Sequence, residues 1–190
     1  MSAVVIDACC VINLAAADAF ATWLPGLGLE WKVPQAVVDE ALFLRVQNDQ
    51  GEPDREMIDL TPFIASGLLD VISPKGEAEI AAYVAYSRNL DDGEAMALSL
   101  AVSRDWMLAT DDRRARSLAE SEEVSLVSTP EILKRWVDKD TPASQTLEEA
   151  LLRIKQRARY LPGIRDPLFD WWMANLPEGS GFPEHNSCFL

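Results

Sequence analysis

The chain opens with a short apolar run that ends abruptly on an acid. Ala3–Ile6 is followed by Asp7, and a second apolar run, Cys9–Ala17, starts almost at once. Small and β-branched residues in such a run predict a strand that is buried on both faces. Because ligands of open α/β sheets bind at the carboxyl ends of the strands, Asp7 is the first candidate site residue. Aspartate also caps helices well, and on this stretch alone both interpretations stay open.

The composition is that of a globular protein. The 190 residues are 48% hydrophobic and 25% charged, which fits one ordinary domain with room for an appendage. No run approaches 18 apolar residues and the N-terminus has no basic segment, so neither a membrane span nor a signal peptide is expected. Three cysteines, Cys9, Cys10 and Cys188, do not form a disulfide framework, which favours a reducing, cytoplasmic location.

The charge balance limits the possible partners. A formal net charge of -14 disfavours indiscriminate nucleic-acid binding. The run Arg153–Arg165, with five bases and no acid, leaves a local basic contact surface open, although a solvated helix face is the simpler explanation. The single histidine, His185, excludes multi-histidine metal sites and most histidine-dependent catalysis.

Apolar patterns along the chain alternate between strand and helix periodicity. Strands are predicted at Trp31–Val33, Leu68–Ile72, Trp106–Ala109 and Val124–Val127. Helices are predicted at Cys10–Leu24, from Pro34 to about Gln47, at Glu77–Ser87 with Ile80, Ala81 and Val84 facing inward, at Glu94–Arg104, at Arg113–Ala119 and from Thr129. Asn48–Asp59 is predicted to be a loop. This alternation predicts a three-layer α/β/α fold with a central, mostly parallel sheet of four to five strands.

The sequence changes character after Asp138. Lys139–Ser144 resembles a linker, Gln145–Leu161 an amphipathic helix, and Asp166–Leu176 is rich in large apolar residues. We therefore expect one domain over residues 1–138 and a C-terminal helical extension and tail over residues 139–190, with a loose end from Pro177. The aromatic run at Phe169, Trp171 and Trp172 is more typical of a core or an interface than of a base-stacking platform.

Acids recur at places where the predicted elements meet. They are Asp7, Glu40, Glu94 with Asp91 and Asp92 just before it, and Asp111 with Asp112. Carboxylates brought close together repel one another, so they need a divalent cation between them. Oxygen ligands favour Mg²⁺ or Mn²⁺, which support phosphodiester hydrolysis. Taken singly, Glu40 could also be a solvated acid near the start of a helix.

Several motifs in this order resemble one known family. They are VVIDACCVINL, VPQAVVDEAL, LDDGEAMALSLA and WMLATDDRRARSLA, followed by VSLVSTPEIL, and they cover most of Ala3–Val137. The chain resembles PIN-domain proteins, the fold of the VapC-type ribonuclease toxins of toxin–antitoxin pairs. Its Gly93–Glu94 pair is similar to a subgroup with Gly-Glu at the third acidic position, where a longer Glu replaces the usual Asp.

The resemblance implies roles for individual residues. It implies a catalytic cluster that binds Mg²⁺ or Mn²⁺ and consists of four acids, in order Asp7, Glu40, Glu94 and Asp111. Asp92 is a possible helper at the third acid, and Asp112 is a possible substitute or helper at the fourth. Asn13 and Thr110 match positions that orient such a cluster. Arg113, Arg114 and Arg116 follow the fourth acid closely and are expected to approach RNA phosphates.

Two hypotheses from different classes follow. The first is a metal-dependent endoribonuclease, the toxin of a type II toxin–antitoxin pair, with RNA as substrate, a cognate antitoxin as partner and a homodimeric assembly. The second is a catalytically weak PIN-like binding or regulatory module that acts through protein partners. The charge of -14 and the C-terminal extension motivate the second hypothesis.

Overall fold

A computed structural model describes residues 3–177 of the chain. His185 and Cys188, and the predicted loose tail beyond Pro177, lie outside these residues. The elements in chain order are β1 (Ala3–Ile6), α1 (Ala8–Ala16), α2 (Ala19–Thr22), β2 (Glu30–Pro34), α3 (Gln35–Asp39), β3 (Phe43–Gln47), β4 (Pro53–Met57), α4 (Thr61–Ala65), β5 (Leu69–Ile72), α5 (Gly76–Tyr86), α6 (Asp92–Arg104), β6 (Met107–Ala109), α7 (Arg113–Ser121), β7 (Leu126–Val127), α8 (Thr129–Asp140), α9 (Ser144–Arg153) and α10 (Phe169–Ala174). A 3-10 turn at Leu24–Leu27 and a π-helical turn at Ile154–Ala158 complete them.

A five-stranded sheet in the order β5-β2-β1-β6-β7 forms the middle layer. All four pairings in it are parallel, and β1 is the central strand. Val4 and Ile6 pack into one hydrophobic cluster and Val5 into another, because successive side chains of a strand point to opposite faces. Helices α1, α8 and α9 cover the first face, and α6 and α7 cover the second. The predicted three-layer α/β/α fold is confirmed.

The register of the central strands decides where the site lies. Ile6 of β1 is paired with Ala109 of β6, and the Asp7 backbone N–H donates to the Ala109 carbonyl at 3.1 Å. The residues that follow these two strands, Asp7 and Thr110, therefore emerge side by side at one edge of the sheet. This edge holds the carboxyl ends of parallel strands, where α/β folds place their ligands.

The predicted helix from Pro34 to Gln47 is wrong in its second half. Helix α3 ends at Asp39, Glu40 is extended (φ -73°, ψ 141°), and β3 then pairs with β4 in an antiparallel hairpin. Leu42 and Leu44 are buried while the residues beside them are exposed, which is the period-two pattern of a strand. Strand β4 lies inside the predicted loop, and all five of its residues are exposed, so no apolar alternation marked it.

The first predicted helix is also interrupted. Helix α1 ends at Ala16, and Asp18 takes a left-handed conformation (φ 54°) before the short helix α2. The sequence also predicted that Ile80, Ala81 and Val84 of α5 face the core, and this prediction is wrong. On α5, Ile80 and Val84 are 49% and 55% exposed, and Ala81 is exposed too. A regular apolar stripe is therefore present on α5, but within residues 3–177 nothing covers it.

The segment after Asp138 packs on the same core as the sheet. Leu147, Leu151 and Ile154 share one hydrophobic cluster with Val4, and so does Trp172, which is fully buried. Helix α8 continues to Asp140, past the predicted boundary. The predicted boundary between a domain over residues 1–138 and an extension over residues 139–190 remains a prediction. Across residues 3–177, no helix has the length and apolar character that crossing a membrane requires.

Candidate functional site

Asp7 lies at the carboxyl end of β1 and caps the next helix. Its Oδ1 accepts the Cys10 backbone N–H at 2.9 Å, which makes Asp7 the N-cap of α1. The Cys9 thiol donates to the same carboxylate at 3.1 Å. The side chain is 1% exposed, and burial raises the pKa of Asp7 to about 6 despite its hydrogen bonds. The helix-cap interpretation is therefore confirmed, and the ligand role stays a prediction.

Glu94 reaches the same place from the first turn of α6. The pKa of Glu94 is raised to about 7, first by burial and then by the negative charges of Asp112 and Asp7. Each of these three carboxylates comes from a different helix N-terminus or strand end. The fold therefore brings Asp7 and Asp112 close enough for their charges to act on Glu94. Such mutual repulsion is what a bound divalent cation relieves.

Thr110 links two of these acids. The Thr110 hydroxyl is buried, hydrogen-bonds the Asp7 carboxylate and accepts the Asp112 backbone N–H at 3.1 Å. Asp112 in turn caps α7, and its Oδ1 accepts the backbone N–H groups of Arg114 and Ala115 at 2.8 and 2.9 Å. Thr110 thus lies where the resemblance implies an orienting residue, and it contacts the two acids that flank it in space.

Asp111 lies in a group of protein donors, and its charge also contributes to the raised pKa of Asp7. Its Oδ2 accepts from the side chains of Asn13 (2.9 Å), Thr129 and Cys10, and its Oδ1 accepts the Thr129 backbone N–H (3.0 Å) and the Tyr160 hydroxyl (3.0 Å). Five donors on one carboxylate leave few lone pairs for a cation. Asn13, predicted as a supporting residue, therefore contacts Asp111 rather than Asp7.

Glu40 lies beside the start of α6. The Gly93 backbone N–H donates to its carboxylate. A Cβ on Gly93 would lie 2.5 Å from Glu40 Oε1 and 3.0 Å from Val37 Cγ2, so glycine permits this approach. Burial, followed by the charges of Asp91 and Asp92, raises the pKa of Glu40. Asp92 is exposed and its charge acts on Glu40, so both lie at the α6 N-terminus next to Glu94.

The donor chemistry decides what kind of ion would fit. Among residues 3–177, only Asp7, Cys9 and Cys10 place three potential ligand atoms within 4.8 Å of one another. Burial raises the pKa of the Cys10 thiol well above its usual value, so this thiol is protonated at neutral pH and is a poor ligand. The carboxylates of Asp7, Glu94 and Asp112 are not all within 4.8 Å of one another, but they offer oxygen atoms, which suit a hard divalent cation.

The three predicted RNA-binding arginines lie on the first turns of α7. Arg113 and Arg114 are exposed, whereas Arg116 is half-buried and donates to the Thr110 carbonyl at 3.1 Å. Arg116 is thus held at the end of β6, next to the acids. The guanidinium groups of Arg113 and Arg114 remain on the surface beside this edge of the sheet.

Two residues that contact the site were missed by the sequence interpretation. Thr129 begins α8 after the Ser128 capping box, so its backbone N–H is directed at Asp111 by a pattern that the sequence does contain. Tyr160 follows the π-helical turn, and no local signal connects it to an acid that is 49 positions earlier. Both come from beyond the motifs that carry the acids.

Comparison with known families agrees with this geometry. A family model described as a PIN domain matches residues 3–163, and no curated protein matches the chain. The matched range includes the strand ends that hold Asp7 and Thr110, and it extends past Asp138 to the residues around Tyr160. PIN domains form a nuclease superfamily and generally use divalent metal ions. With most of its length matched, the chain belongs to the PIN-domain family.

Proposed function

We propose that this protein is an Mg²⁺- or Mn²⁺-dependent endoribonuclease that hydrolyses RNA phosphodiester bonds. The observation that supports the proposal is that the charges of Asp7 and Asp112 act on Glu94 at the carboxyl edge of a parallel sheet in a PIN-domain chain. These three acids would hold the cation, with Glu40 and Asp92 beside them. Of the two acids at the fourth position, Asp112 acts electrostatically on Glu94 and Asp111 acts on Asp7. We favour Asp112 as the ligand because five protein donors already occupy the Asp111 carboxylate.

The neighbouring residues keep the acids in place. Thr110 orients Asp7 and Asp112, while Asn13, Thr129 and Tyr160 hold Asp111 and so fix the loop between β6 and α7. A bound Mg²⁺ or Mn²⁺ would supply an activated water and would stabilise the negative charge that develops on the scissile phosphate. Arg113 and Arg114 are placed to attract the RNA backbone towards this edge.

The test compares purified variants on a fluorogenic RNA with Mg²⁺ and with Mn²⁺. We expect Asp7→Asn, Glu94→Gln and Asp112→Asn to lose cleavage by at least about a hundredfold, because each removes a charge from the cation site. Asparagine retains the helix caps, so folding should survive. Asp49→Asn, an exposed acid in the hairpin turn, is the matched control. Equal cleavage by wild type and all three variants would refute the proposal.

Asp111→Asn separates the two acids of the fourth position. An amide at Asp111 would set an N–H₂ group against donors from Asn13, Thr129 and Tyr160, so we expect a loss of stability. Asp112→Asn should instead weaken Mn²⁺ binding measured by calorimetry and leave the melting temperature nearly unchanged. The reverse pattern would make Asp111 the ligand, as the family resemblance first implied.

The alternative of a weak PIN-like regulatory module has one observation in its favour. The Asp111 carboxylate is saturated by protein donors, which reduces the number of acids free to bind an ion. Calorimetry with Mn²⁺ distinguishes the two functions. Tight Mn²⁺ binding together with metal-dependent cleavage excludes the weak module, and absence of both excludes the nuclease.

We further propose that the nuclease is the toxin of a type II pair and acts in the cytoplasm with a cognate antitoxin. The support is the resemblance of the acidic motifs to VapC-type toxins. Induced expression in a bacterial host should arrest growth, and co-expression of a short neighbouring reading frame should relieve the arrest. Normal growth during expression of the wild-type protein alone would contradict the toxin role.

A homodimer is also proposed, although the C-terminal aromatic residues that suggested it are partly buried in the core. Trp172 is fully buried and Phe169 and Trp171 are half-buried. Exposed apolar side chains lie instead on α5, at Ile80 and Val84. Light scattering over a concentration series should give twice the mass of the chain, and replacing both residues by Glu should restore the monomer mass if α5 is the contact.

A further inference from the structure

We infer that a groove between the β3–β4 hairpin and the π-helical turn binds the phosphate backbone of single-stranded RNA. The groove has a volume of about 960 Å³, and four arginines line it: Arg45, Arg55, Arg157 and Arg159. One acid, Asp54, also lines it. In a chain with a net charge of -14, this is a strong local concentration of positive charge. The inference rests on the proposed function, since it names where the RNA substrate would lie.

Two of the arginines face each other across the hairpin. Arg45 on β3 is paired in register with Arg55 on β4, so both side chains leave the same face of the ribbon. Like charges directly opposite in an antiparallel pair destabilise it. Both residues are exposed, and neither has an ion pair within residues 3–177. A phosphate between the two guanidinium groups would remove this repulsion.

The opposite wall of the groove is fixed in position. Arg157 donates to Glu56 at 2.7 Å and to the Ala16 carbonyl at 3.4 Å, which fastens the π-helical turn to both β4 and α1. Arg159, at the end of that turn, has a left-handed backbone (φ 57°), is exposed and forms no ion pair in the described chain. Short π-helical segments are found frequently at functional sites.

The groove is connected to the acidic site through the chain itself. None of its lining residues is one of the candidate acids, so it is a separate surface. Tyr160, however, directly follows Arg159 and donates to Asp111 at 3.0 Å. Arg159 is therefore one residue away from a side chain that contacts the loop between β6 and α7, where the candidate acid Asp112 lies.

Guanidinium chemistry favours a phosphate ligand over other anions. Arginine presents a planar fork that pairs with two oxygens of a phosphate, and unpaired arginines along a groove match the regular charges of a nucleic-acid backbone. Among the residues that line the groove none is aromatic; Val46, Gln47 and Pro53 lie beside the charges. The lining therefore favours contact with the RNA backbone over stacking on the bases. An acidic peptide is the competing ligand, and the test below includes it.

The test measures binding without cleavage. Fluorescence anisotropy of a labelled oligouridine RNA is recorded in EDTA with wild type and with Arg45→Gln/Arg55→Gln. We expect roughly tenfold weaker binding and a salt slope lower by about 1.4, which is two phosphate contacts at about 0.7 each. Arg88→Gln/Arg135→Gln removes the same charge from two exposed positions, the turn after α5 and helix α8, and is the matched control. Equal loss in both double variants would overturn the inference.

Two further readouts protect the interpretation. The Arg45→Gln/Arg55→Gln variant should melt at a temperature equal to or higher than that of wild type, because it removes a like-charge pair. A lower melting temperature together with weak RNA binding would mean misfolding. In that case Arg159→Gln alone must reproduce the loss of binding. A labelled polyglutamate peptide that binds more tightly than RNA would also overturn the inference. RNA binding at the groove without any cleavage in Mg²⁺ or Mn²⁺ would refute the proposed activity but not the groove.

Discussion

The Tyr160 hydroxyl donates a hydrogen bond to Asp111 Oδ1 at 3.0 Å, joining the C-terminal segment to the loop that follows β6. Burial and the nearby Asp111 charge raise the pKa of Tyr160 far above its usual range, so the hydroxyl keeps its proton and remains a donor. The contact spans 49 positions of sequence and links the segment after α9 to the edge of the sheet that carries the acids.

Tyr160→Phe should therefore destabilise the protein. It removes one donor from a partly buried carboxylate and leaves the ring packed on Trp172, so we expect a loss of about 2 kcal/mol in the free energy of unfolding, measured with urea. A double-mutant cycle with Asp111→Asn is the control. Purely additive effects of the two substitutions would show that the hydrogen bond contributes nothing.

Gly93→Ala should lower activity more than stability. A methyl group would crowd Glu40 Oε1 at 2.5 Å and Val37 Cγ2 at 3.0 Å, so the Glu40 carboxylate must move away from the start of α6. Alanine also favours the helix by about 1 kcal/mol over glycine, which offsets part of the crowding. We expect Gly93→Ala to cleave RNA no better than Glu40→Gln, with a small change in melting temperature.

The matched comparison for this position is made in a Glu40→Ala background. In that background the Glu40 Oε1 atom that the methyl group would crowd is absent, so adding Gly93→Ala should have little further effect on cleavage. A large additional loss of cleavage would mean that the methyl group harms the site by another route, such as Val37.

The metal-free protein should lose stability as the pH rises from about 4 to 8. The folded-state pKa values of Asp7 and Glu94 are about 6 and about 7, above their ordinary values, so their ionised forms oppose folding. This penalty is absent at a pH where the two carboxyl groups are protonated in both the folded and the unfolded protein. It is fully present above the pKa of the folded protein. Glu94→Gln should therefore stabilise the metal-free protein by on the order of 2 kcal/mol at pH 8 and by almost nothing at pH 4.

Thermal melts in EDTA across this pH range check the expectation. Adding Mn²⁺ at pH 8 should stabilise wild type and not the Glu94→Gln variant, because a cation removes the repulsion only where the charge exists. An equal gain from Mn²⁺ in both proteins would place the ion elsewhere.

Glu79→Gln should show the opposite dependence on pH. Arg104 pairs with Glu79 through Nε (2.8 Å) and Nη2 (2.9 Å), and this pair lowers the pKa of Glu79 to about 2. A depressed carboxyl pKa contributes stability above its unfolded value of about 4.5, and that stability is lost as the pH falls towards 2. We expect Glu79→Gln to cost about 1 kcal/mol at pH 7 and almost nothing at pH 2, by urea denaturation.

The apolar periodicities were sufficient for most of the fold. Val4, Val5 and Ile6 are all buried, and the alternation of strands with helices such as α6 predicted the parallel sheet correctly. The β3–β4 hairpin was missed because β4 is exposed at every position. Leu42, just before β3, and Leu44 within it also suit a helix. Ile80 and Val84 show the converse, since a helical apolar stripe does not reveal whether anything covers it.

The candidate site divides in the same way. Its acids could be named from the sequence, because each follows a strand or begins a helix at a recognisable motif. Their directions could not, because Asp111 and Asp112 are neighbours in the chain and point to different surroundings. Asp112 caps α7 within reach of Glu94, while Asp111 is drawn to Asn13, Thr129 and Tyr160.

The sequence by itself determined the local elements, the central strand that ends at Asp7 and the set of acids, since these depend on periodicity and on neighbouring residues. Only the tertiary structure decided which acids act on one another, that Tyr160 donates to Asp111 and that four arginines share a groove. The physical reason is that such contacts depend on the packing of segments many residues apart, and a carboxylate turns towards whichever donors or charges that packing brings to it.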